Sequence, residues 1–129
     1  MQLTKNFHLS EFACKDGTPV PKHLIPNVMK LAELLQKVRD SFGDYPVVIN
    51  SAYRPPEYNK AIGGSPRSQH LEAKAADIKI DGIRPDEVYQ RIHDLHRNGE
   101  IHAGGLGRYN TFTHVDIRQG EARWDYRNK

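Results

Sequence analysis

Cysteine is almost missing from this chain: Cys14 is the only one in 129 residues. A single thiol excludes an internal disulfide framework and a zinc site built on four cysteines. No base for a cysteine nucleophile stands out, so Cys14 is expected to be a small buried hydrophobe. No apolar run approaches the roughly eighteen residues a membrane-spanning helix needs, and membrane insertion is not expected. The opening Met1-Gln2-Leu3-Thr4-Lys5-Asn6-Phe7-His8 holds no apolar signal-peptide core, so the expected site of synthesis is the cytoplasm, without a Sec leader. A large excess of one charge sign is also lacking. With 19 Lys+Arg against 16 Asp+Glu the net charge is +3, a mild help towards an anionic polymer. The excess is dispersed and no basic stripe is interleaved with aromatic residues, so nucleic acid is not an expected partner. Repeats, low-complexity tracts and linkers are missing too. The expectation is one domain over residues 1–129, with its core at about 7–124.

What is present reads as a mixture of helices and strands. Ser10 is placed to N-cap a short helical turn, and Asp16-Gly17-Thr18-Pro19 forms a turn. Pro26 opens the longest helical pattern, with Val28, Leu31, Leu35, Val38 and Phe42 on one stripe and Gly43 at its end. Pro46–Ser51 is a short β-branched run fit for one strand. Arg54–Gln69, with three prolines and Gly63-Gly64, reads as loop with a helical turn near Glu57–Ile62. Ala75–Ile80 alternates as a second strand. Pro85-Asp86-Glu87 begins a second helix that buries Val88, Ile92 and Leu95 and closes at Asn98-Gly99. Strands are expected at Gly105–Tyr109 and Thr113–Arg118 around a turn at Asn110, with Trp124 and Tyr126 packing the tail against the sheet. This order favours a small α+β fold.

Histidine is abundant, at seven residues. His70 precedes the second predicted strand, Asp77 lies within it and His114 lies on the last. Two imidazoles and a carboxylate suit zinc and leave a fourth position open, the hallmark of a catalytic rather than a structural site. Spacing alone leaves a second reading open, in which His70 is a loop residue and Asp77 bonds a nearby backbone N–H. His93 and His96 lie one turn apart on the second helix without the Glu of a zincin pattern and are expected to be solvated. His8 and His23 are expected at the surface, and His102 is a weaker candidate proton shuttle.

Ser68-Gln69-His70-Leu71-Glu72-Ala73-Lys74-Ala75-Ala76-Asp77 resembles the first zinc motif of the M15 peptidases, the D-Ala-D-Ala carboxypeptidase and phage endolysin group, which reads Ser-x-His, six residues, Asp. Thr113-His114-Val115-Asp116 resembles the second. Ser51-Ala52-Tyr53-Arg54-Pro55-Pro56, followed by Tyr58-Asn59 and Gly63-Gly64, is similar to the family's Ser-Gly-Tyr-Arg loop. Gly104-Gly105-Leu106-Gly107-Arg108-Tyr109 and Trp124 fit as well, so the likeness runs in order from Phe7 to Trp124.

The resemblance implies a compact α+β domain of the hedgehog and DD-peptidase type, a short, mostly antiparallel sheet packed by two main helices. It implies a zinc metallopeptidase cutting an amide in peptidoglycan stem peptides as a carboxypeptidase, endopeptidase or endolysin. A lone domain without a signal peptide fits release to the wall on lysis or carriage on a virion, and a monomer is the expectation although the sequence leaves the oligomeric state open. The resemblance assigns Zn2+ to His70, Asp77 and His114. Arg54 matches the arginine that binds the substrate carboxylate and polarised carbonyl, a role suited to a planar, permanently charged fork. Ser68 matches a serine that helps hold substrate, though by itself it fits a turn-capping hydroxyl equally well. Two positions depart from the family. Thr111 stands where several branches carry an acidic general base, and Ala73 stands where glycine is usual. Asp116, two residues beyond His114, is the substitute acid; the other role open to it is to orient a zinc-ligating imidazole. The alternative function is a non-catalytic zinc-binding domain of the same fold that binds cell-wall peptide or serves in a phage particle.

Overall fold

The computed structural model describes residues 1–43 and 45–128. Helix α1, Ile25–Phe42, buries Val28, Leu31, Leu35 and Val38 on the expected stripe, widened by Ala32 and Leu34. It starts one residue before Pro26, because a proline in the first turn gives up an N–H that has no helical partner. Gly43 ends it at φ +86°, a left-handed region that glycine enters without a Cβ clash. Helix α2, Pro56–Ala61, is the turn foreseen in the long loop. Helix α3, Pro85–Arg97, carries Pro85 and two acids in its first turn, His96 and Arg97 in its last, and buries Val88, Tyr89, Ile92 and Leu95.

Five strands complete the fold: β1 Val47–Ser51, β2 Ala75–Ile80, β3 Gly105–Arg108, β4 Thr113–Asp116 and β5 Ala122–Asp125. They form one sheet in the order β1-β2-β4-β3-β5. Every pair is antiparallel except β3 and β5, which run parallel. The protein is therefore the small α+β domain with a mostly antiparallel sheet that the sequence leads one to expect. Helix α3 packs on β2, β3 and β4, and α1 on α3. The shared core contains Leu31, Leu35, Ile78, Ile92, Leu106 and Val115, all fully buried. Cys14 is buried and free, as expected.

Four local expectations need correction. The first short turn, Leu9–Phe12, is capped by His8 rather than Ser10: the His8 ring accepts from Ser10 N while Glu11 accepts from His8 N. Both predicted C-terminal strands are shorter than drawn, β4 ending at Asp116 because Arg118 folds back onto that carboxylate. The tail forms a strand of its own. Finally, β2 is buried at five of its six positions rather than alternately, since both faces of the sheet are covered there. Among the described residues no helix is long and apolar enough to cross a membrane.

Candidate metal centre

Successive strand residues point to opposite faces, so cross-strand partners share a face. The register pairs Ser51 with Asp77, Asp77 with His114, His114 with Gly107, and Gly107 with Trp124. These five residues form one transverse row across the whole sheet, on the face away from the α3 core. The next row on that face holds Ala75, Asp116, Gly105 and Ala122.

His70 reaches the row from outside the sheet. It lies in a 3-10 turn, Gln69–Glu72, that the sequence did not reveal, capped by the Ser68 hydroxyl accepting from His70 N. Two hydrogen bonds clip this turn to the loop after β1: His70 Nδ1–H donates to Ala52 O at 2.7 Å, and Arg54 N–H donates to His70 O at 3.1 Å. Ala73 then closes the turn at φ +56°, ψ +33°. The position where the resemblance leads one to expect glycine is thus a left-handed one, occupied here by a fully buried alanine.

The three predicted ligands converge. His70, Asp77 and His114 are buried, with one donor atom from each within 4.8 Å of the others. His70 Nε2 lies 3.3 Å from Asp77 Oδ2, and His114 Nδ1 lies 2.9 Å from Asp77 Oδ1. Each ring is held by its other nitrogen. A backbone carbonyl only accepts, so His70 Nδ1 carries the proton and Nε2 keeps its lone pair. On His114 the outer nitrogen, Nε2, faces the Asp116 carboxylate at 2.7 Å, which leaves Nδ1 as the inward lone pair. This donor set, oriented from behind, fits a divalent cation such as zinc. Among the described residues no other group of three such side chains converges.

The electrostatics match a site made for positive charge. Burial alone would raise the Asp77 carboxyl, but the neighbouring His114 and His70 imidazoles, His114 foremost, outweigh it and hold it well below the usual carboxylate range. Burial would lower the His114 imidazole, yet its bonds to Asp116 and Asp77 outweigh that and raise it. In the absence of a cation, a proton is stabilised between the two carboxylates.

Asp116 stands behind His114. It is fully buried, and its oxygens accept from Gly105 N, Arg118 N and the Arg118 guanidinium. Gly105 is required: a Cβ there would lie 2.0 Å from Asp116 Oδ2. Gly107 gives the same freedom to Trp124, whose indole lies across it and meets the His114 ring with centroids 4.9 Å apart.

The centre opens on a cleft of about 660 Å³, lined among others by Arg54, Ser68, Tyr109, Phe112 and Trp124. Arg54 is half-buried. Nε donates to Ser51 Oγ, one terminal nitrogen to Asn59 Oδ1 and the other to Asp77 Oδ2, leaving an N–H on each terminal nitrogen for a ligand. Asn59, which the sequence offered only as part of the resembling loop and without a role, is 2% exposed and fixes this guanidinium. Gly64 leaves room for it, since a Cβ there would strike Asn59 Oδ1. Neither Thr111 nor Asp116 lines the cleft. His96, expected to be solvated, instead accepts from Ala103 N and pairs with Glu121.

The comparisons agree with the geometry. Residues 5–116 match the Peptidase M15 family. The chain belongs to the M15 peptidases. Over 81 residues it is 31% identical to the zinc D-Ala-D-Ala carboxypeptidase of Streptomyces albus G. That match takes in 63% of this chain and 31% of the relative, so the M15 chain described here spans about a third of that protein's length.

Proposed function

We propose that this chain is a zinc-dependent peptidase that hydrolyses an amide bond in peptidoglycan stem peptides, as a carboxypeptidase or endopeptidase. One observation carries the reading: the lone pairs of His70 Nε2 and His114 Nδ1 and the Asp77 carboxylate converge at a cleft that also holds Arg54. The named relative is a zinc enzyme acting on D-Ala-D-Ala, which directs the reading towards wall peptides.

His70, Asp77 and His114 would hold the ion. Bound zinc supplies Lewis acidity to a carbonyl oxygen and brings the pKa of water to about 7. Arg54, pinned on three sides, offers its remaining N–H groups to a peptide carboxylate or carbonyl, a charge-assisted contact that fixes the scissile bond over the centre. Ser68 Oγ already accepts from His70 N, so its own proton is free to donate to a peptide carbonyl. Asp116 keeps His114 in the tautomer whose inward nitrogen binds metal, the use of a carboxylate behind an imidazole. Its burial and its bonds to Arg118 suit this better than proton transfer in the cleft.

A second reading has its own support. Among the described residues Asp77 is the one carboxylate lining the cleft, and Thr111 is exposed outside it. A fold of this kind can bind zinc and wall peptide without turnover. Mass spectrometry of stem peptides incubated with the zinc-loaded protein separates the two. The peptidase yields a product whose mass identifies the bond, absent with His70→Ala. No product from protein shown to contain zinc supports the binding domain instead.

A further inference from the structure

We propose that Tyr109 donates its phenolic hydrogen bond to the oxygen of the scissile amide as that oxygen gains negative charge. This rests on the peptidase reading above and deepens it. Hydrolysis of an amide builds charge on the carbonyl oxygen, and oriented donors at that point are usually the largest single contribution to such catalysis. Few other groups in the cleft are free for the task, two N–H groups of Arg54 and the Ser68 hydroxyl, and these serve to hold the peptide. Arg118 is committed to Asp116, and three of the Arg54 donors are engaged.

The Tyr109 hydroxyl is in a different state. Trp124 Nε1–H donates to Tyr109 Oη at 3.0 Å. An indole nitrogen can only donate, so the phenol is the acceptor in this bond and its own proton must point elsewhere. Among the described residues that proton has no acceptor. The ring is positioned rather than loose: it stacks on Phe112 at 4.3 Å between centroids and meets Tyr126 edge-on at 5.7 Å. The indole that aims it lies against His114 and fits only because residue 107 is glycine. Tyr109 is therefore one indole away from a metal ligand, on the wall of the same cleft. Burial raises its pKa, and Asp77 adds to this, so it stays the neutral donor at working pH. Only a hydrogen bond is formed. No proton leaves the phenol, and no further reactant is needed.

Tyr109→Phe keeps the ring and removes the donor. Wild type and variant, loaded with one equivalent of zinc, are compared on an N-acylated D-Ala-D-Ala peptide for kcat and KM separately. Their affinities for the phosphinate isostere of that dipeptide, tetrahedral and anionic at the reacting centre, are compared by calorimetry. The expected result is a loss of about 10²-fold in kcat with KM changed less than threefold, and phosphinate affinity weakened by a factor similar to the loss in kcat. Unchanged kcat and unchanged phosphinate affinity overturn the assignment, as does a loss confined to KM. If the wild type hydrolyses nothing, the peptidase reading fails by itself, and equal phosphinate binding by the two proteins then removes Tyr109 as an oxyanion donor too. Equal zinc content and melting temperature establish that the variant is folded.

Discussion

Ala73 sits at φ +56° with its methyl fully buried, directly after the turn that presents His70. A left-handed alanine costs about 1–2 kcal/mol, while removing the methyl forfeits about 0.8 kcal/mol of burial. Ala73→Gly is therefore expected to stay within about 1 kcal/mol of wild type, the two effects offsetting each other. Ala73→Val places a β-branched side chain where φ forbids it and should destabilise by about 2 kcal/mol or more. Urea denaturation of the three proteins checks both. His114 carries the second prediction at this scale. In the folded, metal-free protein its pKa is raised, so its proton stabilises the fold below the ordinary histidine value and is lost as pH rises through the raised one. A cation must displace that proton. Apparent zinc affinity should thus fall as pH drops, beginning above the range of an ordinary histidine, with proton release seen as a buffer-dependent heat of binding. Affinity flat from pH 8 to 6 would contradict the arrangement. His70, Asp77 and His114 were legible in the sequence because a ligand set has characteristic residue types. Asn59 and the reason for glycine at residues 64 and 105 were not, because each depends on a side chain that folding brings near.

The elements divide the same way. Helices α1 and α3 declared themselves through apolar stripes and end signals, which are local. So did β1 and β2, through β-branched or alternating residues. Strand β5, Ala122–Asp125, did not: it is four residues long, half-buried, and exists through its parallel pairing with β3. The 3-10 turn at Gln69–Glu72 was hidden for a similar reason, being held by the loop after β1. Strand β3 shows what the sheet demands of its sequence. At residues 105 and 107 it must be bare, because Asp116 and Trp124 occupy the space a Cβ would take. Asp116 is clamped by Arg118 and cannot withdraw easily. Gly105→Ala is expected to cost about 1–3 kcal/mol and to weaken zinc binding along with it, since the displaced carboxylate is the one that holds His114. Denaturation and zinc titration of that variant, read together, test the coupling; lost stability with unchanged zinc affinity would separate the two.

At the scale of the molecule, the sheet has a core face and a working face. One face closes over α1 and α3 and supplies the hydrophobic stability. The other carries Ser51, Asp77, His114, Gly107 and Trp124 in a single row, with Asp116 in the row behind. A metal held by this row binds the folded chain alone, so zinc at a hundredfold excess over its dissociation constant should add about 2.7 kcal/mol of stability. The most direct test of the account is therefore a zinc titration of the metal-free protein, followed by both calorimetry and thermal melting. The account predicts one equivalent bound with a rise in melting temperature, abolished in His114→Ala and kept in His96→Ala, whose histidine serves Ala103 and Glu121 instead. Stoichiometric zinc retained by His114→Ala, or lost from His96→Ala, would contradict it.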